Sequence, residues 1–240
     1  MNNKTLIALS IGGLLTTPAF ADSCQIASGA YVGVAAGGAH LAGNNKLDYD
    51  NTVLPGPQDS INHRLSKSSL VAAIFGGYGL KFGNLWGAAE VFYQFDNLQD
   101  KNKFRIHTFT HDKVLESNSK GAYGAAIHLG FSPNSNCVAY VIAGVEVRSF
   151  KVKFTDENPA ADIAPTIDKS YTSTAFAPGL GVRFSLCKNL SLRTEYKYAM
   201  YRSKNFNAEK ANVAGGQTDT IVVKYSPVVH SFNVGLIYSF

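Results

Sequence analysis

The 240-residue chain has no apolar run long enough to cross a membrane as a helix. Such a span needs roughly 20 consecutive apolar residues, and the longest candidate, Leu6 to Leu15, is far shorter. That absence does not exclude a membrane, because β-barrels cross with only alternate residues apolar and keep overall hydropathy near neutral. Mean hydropathy here is −0.03. Basic clusters are lacking too: 22 Lys and Arg stand against 17 Asp and Glu, scattered along the chain. A nucleic-acid partner therefore finds no basic stripe to bind. Also missing are any low-complexity tract and any linker that would divide the chain into domains. Methionine (2) and tryptophan (1) are scarce, whereas glycine (22), phenylalanine (15) and tyrosine (12) abound. This balance suits strands with aromatic anchors on one face and small residues on the other.

Residues 1–21 read as an export signal. Lys4 supplies a positive start, Leu6 to Leu15 an apolar stretch, and Ala19-Phe20-Ala21 the small residues of a cleavage site before Asp22. Cys24 is not expected to carry lipid, since Ala21-Asp22-Ser23 lacks the leucine of a lipoprotein site. The mature chain, residues 22–240, is expected to form one domain, and loss of Lys4 takes the formal charge from +5 to +4.

Within it, period-two alternation recurs in segments of about ten residues. Phe232, Val234, Leu236, Tyr238 and Phe240 line one face near the end of the chain, with Ser231, Asn233, Gly235 and Ser239 on the other. In 190–202, Leu190, Leu192, Thr194, Tyr196, Tyr198 and Met200 oppose Ser191, Arg193, Glu195 and Lys197. A helix would spread those alternate polar residues around its circumference. The same reading places strands at 30–42, 68–80, 85–96, 122–131, 138–150 and 175–186, eight in all. Short links at Lys81–Asn84, Ser132–Asn136 and Cys187–Asn189 alternate with long polar stretches at 43–67, 97–121, 151–172 and 203–222, read as loops. Tight turns at one end and long loops at the other are the pattern of an up-and-down transmembrane barrel. An all-β, eight-stranded antiparallel transmembrane barrel is therefore expected.

Alternation also fits a soluble barrel with its apolar face inward. Three features favour the inverted arrangement. The polar face mixes Glu90, Glu146, Arg148, Arg183, Arg193, Glu195 and Lys197, whose opposite charges can pair inside a narrow lumen. Aromatics on the apolar face gather near strand ends: Phe131, Phe184, Phe232, Tyr238 and Phe240 towards the turns, Tyr93, Phe95 and Tyr198 towards the loops. The last strand ends on an apolar-face Phe.

The chain resembles the eight-stranded outer-membrane barrels of the opacity-protein and OmpA/OmpX type. The resemblance rests on the leader ending Ala19-Phe20-Ala21, the opening Ser28-Gly29-Ala30-Tyr31-Val32-Gly33, Arg193-Thr194-Glu195-Tyr196-Lys197-Tyr198, and the closing Asn233 to Phe240. It implies a multi-pass outer-membrane location with both termini periplasmic, surrounded by outer-membrane lipids. It implies that Leu236, Tyr238 and Phe240 form the signal read by the outer-membrane assembly machinery. Members include adhesins, structural proteins and small pores, so activity is not implied. The periplasmic domain of OmpA has no counterpart, and cell-wall anchoring is not expected.

The candidate lumen network is Glu90, His128, Glu146, Arg148, Arg183, Arg193, Glu195 and Lys197. It reads as a permanent polar core, with an ion-pair gate for small solutes as the alternative. A lipid-modifying hydrolase would need Ser, His and a carboxylate facing lipid; His128 faces the lumen, so no catalysis is expected. His107 and His111, four apart, would pair on a metal only in a helix; no metal or cofactor is expected. Cys24, Cys137 and Cys187 all map to the turn end, where a disulfide of unresolved pairing is expected, with one thiol left over. The long polar stretches are expected to contact host surface molecules or to shield the envelope.

Overall fold

The computed structural model describes residues 25–51, 59–104, 113–156, 167–212 and 217–240. Nine strands form one antiparallel sheet: β1 (Gly29–Asn51), β2 (Asp59–Phe82), β3 (Leu85–Phe104), β4 (Lys113–Asn134), β5 (Cys137–Asp156), β6 (Ile167–Cys187), β7 (Leu190–Tyr201), β8 (Lys204–Asn212) and β9 (Gln217–Ser239). Both β7 and β8 pair with β9, so they are one path interrupted at Arg202-Ser203. Pairing of β1 with β9 closes an eight-stranded barrel. Closure is what allows a sheet to enter hydrocarbon, because it leaves no unpaired edge.

The turns fall where expected, and the loops do not. Polar segments read as loops are mostly strand: β1 and β2 pair without a break from Gly29↔Gly79 to Tyr49↔Asp59. Charged residues in these segments obey the same alternation as the barrel below them, with the faces reversed. In β5 the even positions point inward throughout. Glu146 and Arg148 give way to Phe150, Val152 and Phe154 inside, while Val141 and Val145 give way to Ser149, Lys151 and Lys153 outside.

Closure ends at the same level. β2 pairs with β3 only from Val71↔Asp96 down to the turn, and β6 pairs with β7 only from Ala175↔Tyr201 down. Above these points, among the described residues, the wall divides into two four-stranded sheets, β8-β9-β1-β2 and β3-β4-β5-β6. Register shifts mark the transition, between Gln94 and Asn97 on β3 and between Ser119 and Ala122 on β4. Gly121 sits in the second at φ +64°, where a Cβ would come within 2.7 Å of the Gln94 carbonyl oxygen. Ser69 stands at the fork: its hydroxyl accepts the Asn97 N–H at 3.3 Å where the ladder stops.

The two upper sheets face each other across an apolar core that includes Leu41, Leu47, Leu65, Leu98, Leu115, Phe150, Phe154, Tyr225 and Phe206. Contacts across it join opposite sheets: Phe150 meets Tyr225 with ring centroids 5.6 Å apart, and Tyr171 meets Phe206 at 5.3 Å. Ser117 and Tyr225 share a hydrogen bond of 2.5 Å across the same gap. Burial pushes the Tyr171 and Tyr225 hydroxyls up from their ordinary pKa. The molecule is thus a transmembrane barrel below and a β-sandwich above.

Around the barrel half the outward residues form a continuous apolar belt, from Leu85, Leu129, Phe131 and Phe240 at the turn end to Phe95, Tyr123, Phe176 and Met200 at the fork. Phe232 departs from expectation: it pairs with Gly38 and Tyr196, well up the wall and not near the turns.

Candidate functional site

The lumen of the barrel half is built by inward positions that alternate with the belt. Rings and ions fit there because glycine opposes them. A Cβ on Gly33 would lie 2.2 Å from the Phe75 ring, and one on Gly181 would lie 2.6 Å from the Tyr140 ring. Sequence alone placed Glu90, His128, Glu146, Arg148, Arg183, Arg193, Glu195 and Lys197 inside, and all eight are buried in the structure.

They do not form one cluster. In the middle of the barrel Arg193 bonds Glu90 in two-pronged fashion at 2.6 and 3.1 Å and lies 3.3 Å from Glu195. Tyr31 donates to Glu90 at 3.0 Å and Tyr140 to Glu195 at 2.8 Å. The Arg193 guanidinium also lies over the Phe75 ring at 3.4 Å. His128 stacks on Tyr140 with centroids 5.2 Å apart. Nearer the fork a second cluster joins β3, β5 and β7. Arg148 grips Asp96 at 2.6 and 2.9 Å, touches Glu146 at 3.3 Å and bonds the Tyr201 hydroxyl at 3.0 Å; Tyr201 in turn donates to Glu146.

Arg183 differs from what its charge suggested. It stands directly opposite Arg193 in register, yet among the described residues it has no carboxylate partner. Hydroxyls of Ser239 (2.9 Å) and Ser191 (3.3 Å) accept its N–H groups, and the rings of Tyr31 and Trp86 lie beside it. Lys197 likewise points over the Phe92 ring, at 3.8 Å. Glu90, Asp96, Glu146 and Glu195 therefore balance Arg148, Arg183, Arg193 and Lys197, and the lumen carries no formal net charge. Unpaired ions in such a narrow interior would be strongly disfavoured.

Sequence reading left Tyr31, Tyr140, Tyr201 and Asp96 out of the network. Their signal was available as polar tips at inward positions, but a tyrosine on an alternating strand reads equally as an anchor for the belt.

Both ends of the lumen are occupied. At the turn end the segment before β1 crosses the mouth, and Ile26 is buried among Tyr31, Trp86, Val138 and Ile237. Its backbone N–H bonds the Ser135 carbonyl at 3.0 Å, and the Ser28 hydroxyl accepts from Lys81 N–H at 2.9 Å. At the other end lies the apolar core of the sandwich.

Cys137 and Cys187 are free thiols, so one of the pairings left open by the sequence, Cys137–Cys187, is not formed; Cys24 lies outside the described residues. His107 and His111 also lie outside them. Leu236 and Tyr238 on β9, and Phe240 just after it, are all exposed at the turn end.

A family model described as outer membrane protein beta-barrel domain matches residues 7–240. No curated protein matches the chain in sequence. Among solved structures, the outer membrane protein OprG from Pseudomonas aeruginosa is 13% identical over 91% of this chain and 99% of its own, with a TM-score of 0.55. Neisserial surface protein A is 16% identical over 89% and 98%, at TM-score 0.41. The outer membrane protease OmpT from Escherichia coli is 9% identical over 88% and 97%, at TM-score 0.49.

Proposed function

The chain belongs to the family of outer membrane protein β-barrel domains, and on that premise we propose that it is a non-conducting, non-catalytic surface protein whose sandwich projects from the cell as a platform for interaction. Residues 1–21 are its export signal, both termini and the tight turns are periplasmic, and the segments joining the sandwich strands face the outside. Leu236, Tyr238 and Phe240 serve the assembly machinery from the periplasmic side of the belt.

One observation carries this reading: among the described residues, buried side chains occupy both ends and the middle of the interior. Ile26 covers the turn end, balanced ions fill the barrel, and a packed apolar core fills the sandwich. A pore needs a continuous wet path, and a gate needs charges free to separate. Here Glu90 already holds Arg193 with two bonds plus a tyrosine hydroxyl. The sandwich presents a polar exterior, which suits recognition of host surface molecules through the segments it carries.

The mature protein in a planar bilayer is expected to show no steady channels, and an epitope at 157–166, unlike one at 133–135, is expected to bind antibody on intact cells. Steady conductance abolished by Arg193→Ala would establish the gated pore instead. Surface labelling of the 133–135 epitope would reverse the orientation.

A further inference from the structure

We propose that a groove on the lipid-facing side of β2, β1, β9 and β7 is a subsite for the phosphorylated head group of one membrane lipid. At the fork end of the belt two outward-facing histidines stand together. His40 on β1 and His230 on β9 are directly opposed across the sheet, both facing outward, with ring centroids 6.3 Å apart. Ser68 on β2 bonds His40 Nδ1 at 3.0 Å, and the Tyr196 hydroxyl on β7 bonds His230 Nδ1 at 2.6 Å.

These bonds fit the tautomer in which each hydroxyl donates to Nδ1. A hydroxyl donating to Nδ1 leaves the proton of a neutral imidazole on Nε2. Both rings then present an N–H donor away from their partners. No carboxylate lines the groove, so an acceptor-rich anion meets donors and no repulsion.

The shape supplies the second half of the argument. The groove has a volume of about 470 Å³. Its polar rim is His40, Ser68, Tyr196 and His230, and its apolar walls are Leu70 and Phe232, which are 85% and 54% exposed. Gly38 forms the floor between those walls; a Cβ there would meet only the Ser69 carbonyl oxygen, at 3.8 Å. The site lies at the fork end of the belt, where hydrocarbon gives way to head groups. An acyl chain lies along Leu70 and Phe232 while its phosphate reaches the imidazoles. The proposal rests on the outer-membrane reading and adds a ligand to it; it is independent of whether the lumen conducts or what the sandwich binds.

The full mature chain, folded in maltoside micelles, would be titrated with dioleoyl phosphatidic acid, dioleoylglycerol or inorganic phosphate, and retained ligand counted by native mass spectrometry. Phosphatidic acid is expected to be retained, with at least ten-fold weaker retention of the other two. The double variant His40→Ala/His230→Ala is expected to lose it through the head group. Gly38→Leu is expected to lose it by filling the floor, with both rings untouched and their environment intact by histidine Cε1–H NMR. Equal retention of the two lipids, equal retention of free phosphate, or unchanged retention in both variants would overturn the proposal. Release of free fatty acid would also overturn it, by assigning Ser68 and His40 to hydrolysis.

Discussion

The barrel half and the sandwich half are made from the same strands, yet each keeps outside what the other keeps inside. Below the fork the exterior is apolar and the interior ionic; above it the exterior carries Lys101, Lys151 and Lys153, and the interior carries Leu98, Val152 and Phe154. Solvent explains the reversal. In lipid the hydrophobic effect gives no reason to bury apolar groups, and polar groups must find partners inside. In water the apolar groups collect inside. Topology changes with chemistry, because a sheet in water tolerates free edges whereas one in hydrocarbon must close.

The sharpest break in this comparison is Arg193→Ala, which strands Glu90 and Glu195 in the barrel lumen. Equilibrium urea unfolding in liposomes should register a loss of about 4 kcal/mol, typical of an orphaned buried charge. The double change Glu90→Leu/Arg193→Met should recover the share due to Glu90, since well-packed apolar pairs often replace buried ions at no loss, and leave the share due to Glu195, which still lacks Arg193. Failure of the double variant to recover would mean that the ion pair specifies the fold as well as satisfying it. On the other side of the fork, Leu98→Ala removes a fully buried side chain from the sandwich core. It should cost about 3 kcal/mol, with lost amide protection confined to the upper halves of β3, β4 and β9. Protection lost equally in the barrel would show that the halves unfold as one. A third test locates the boundary. Val91→Lys on the belt should destabilise by about 2 kcal/mol in lipid, whereas Gln99→Lys, eight residues further along the same strand and exposed above the fork, should stay within about 0.5 kcal/mol of the parent. Equal losses would move the water line.

Much of this could be read from the sequence, and what was misread has one source. The barrel strands and their inward ions follow from alternation alone, because Arg193, Glu195 and Lys197 fall on one face and Tyr196, Tyr198 and Met200 on the other. The sandwich strands read as loops because the charge of a polar segment of β5 such as Ser149-Phe150-Lys151-Val152-Lys153-Phe154 masks its period. Its alternation is as clean as that of the barrel, and only the face meeting water is exchanged. The groove at His40 and His230 could not be found in sequence at all. The two residues are 190 positions apart, and only the β1–β9 register brings them opposite each other.

Among the described residues, the fork leaves four strand edges unpaired: the upper parts of β2, β3, β6 and β8. Each carries exposed lysine, namely Lys67, Lys101 and Lys103, Lys169, and Lys204. A crowded bilayer holds neighbouring copies in the same plane and at the same height, which is the ideal geometry for one copy to zip onto the next. An ammonium group at the rim would have to shed its hydration for that contact to form, a cost that opposes edge-to-edge pairing.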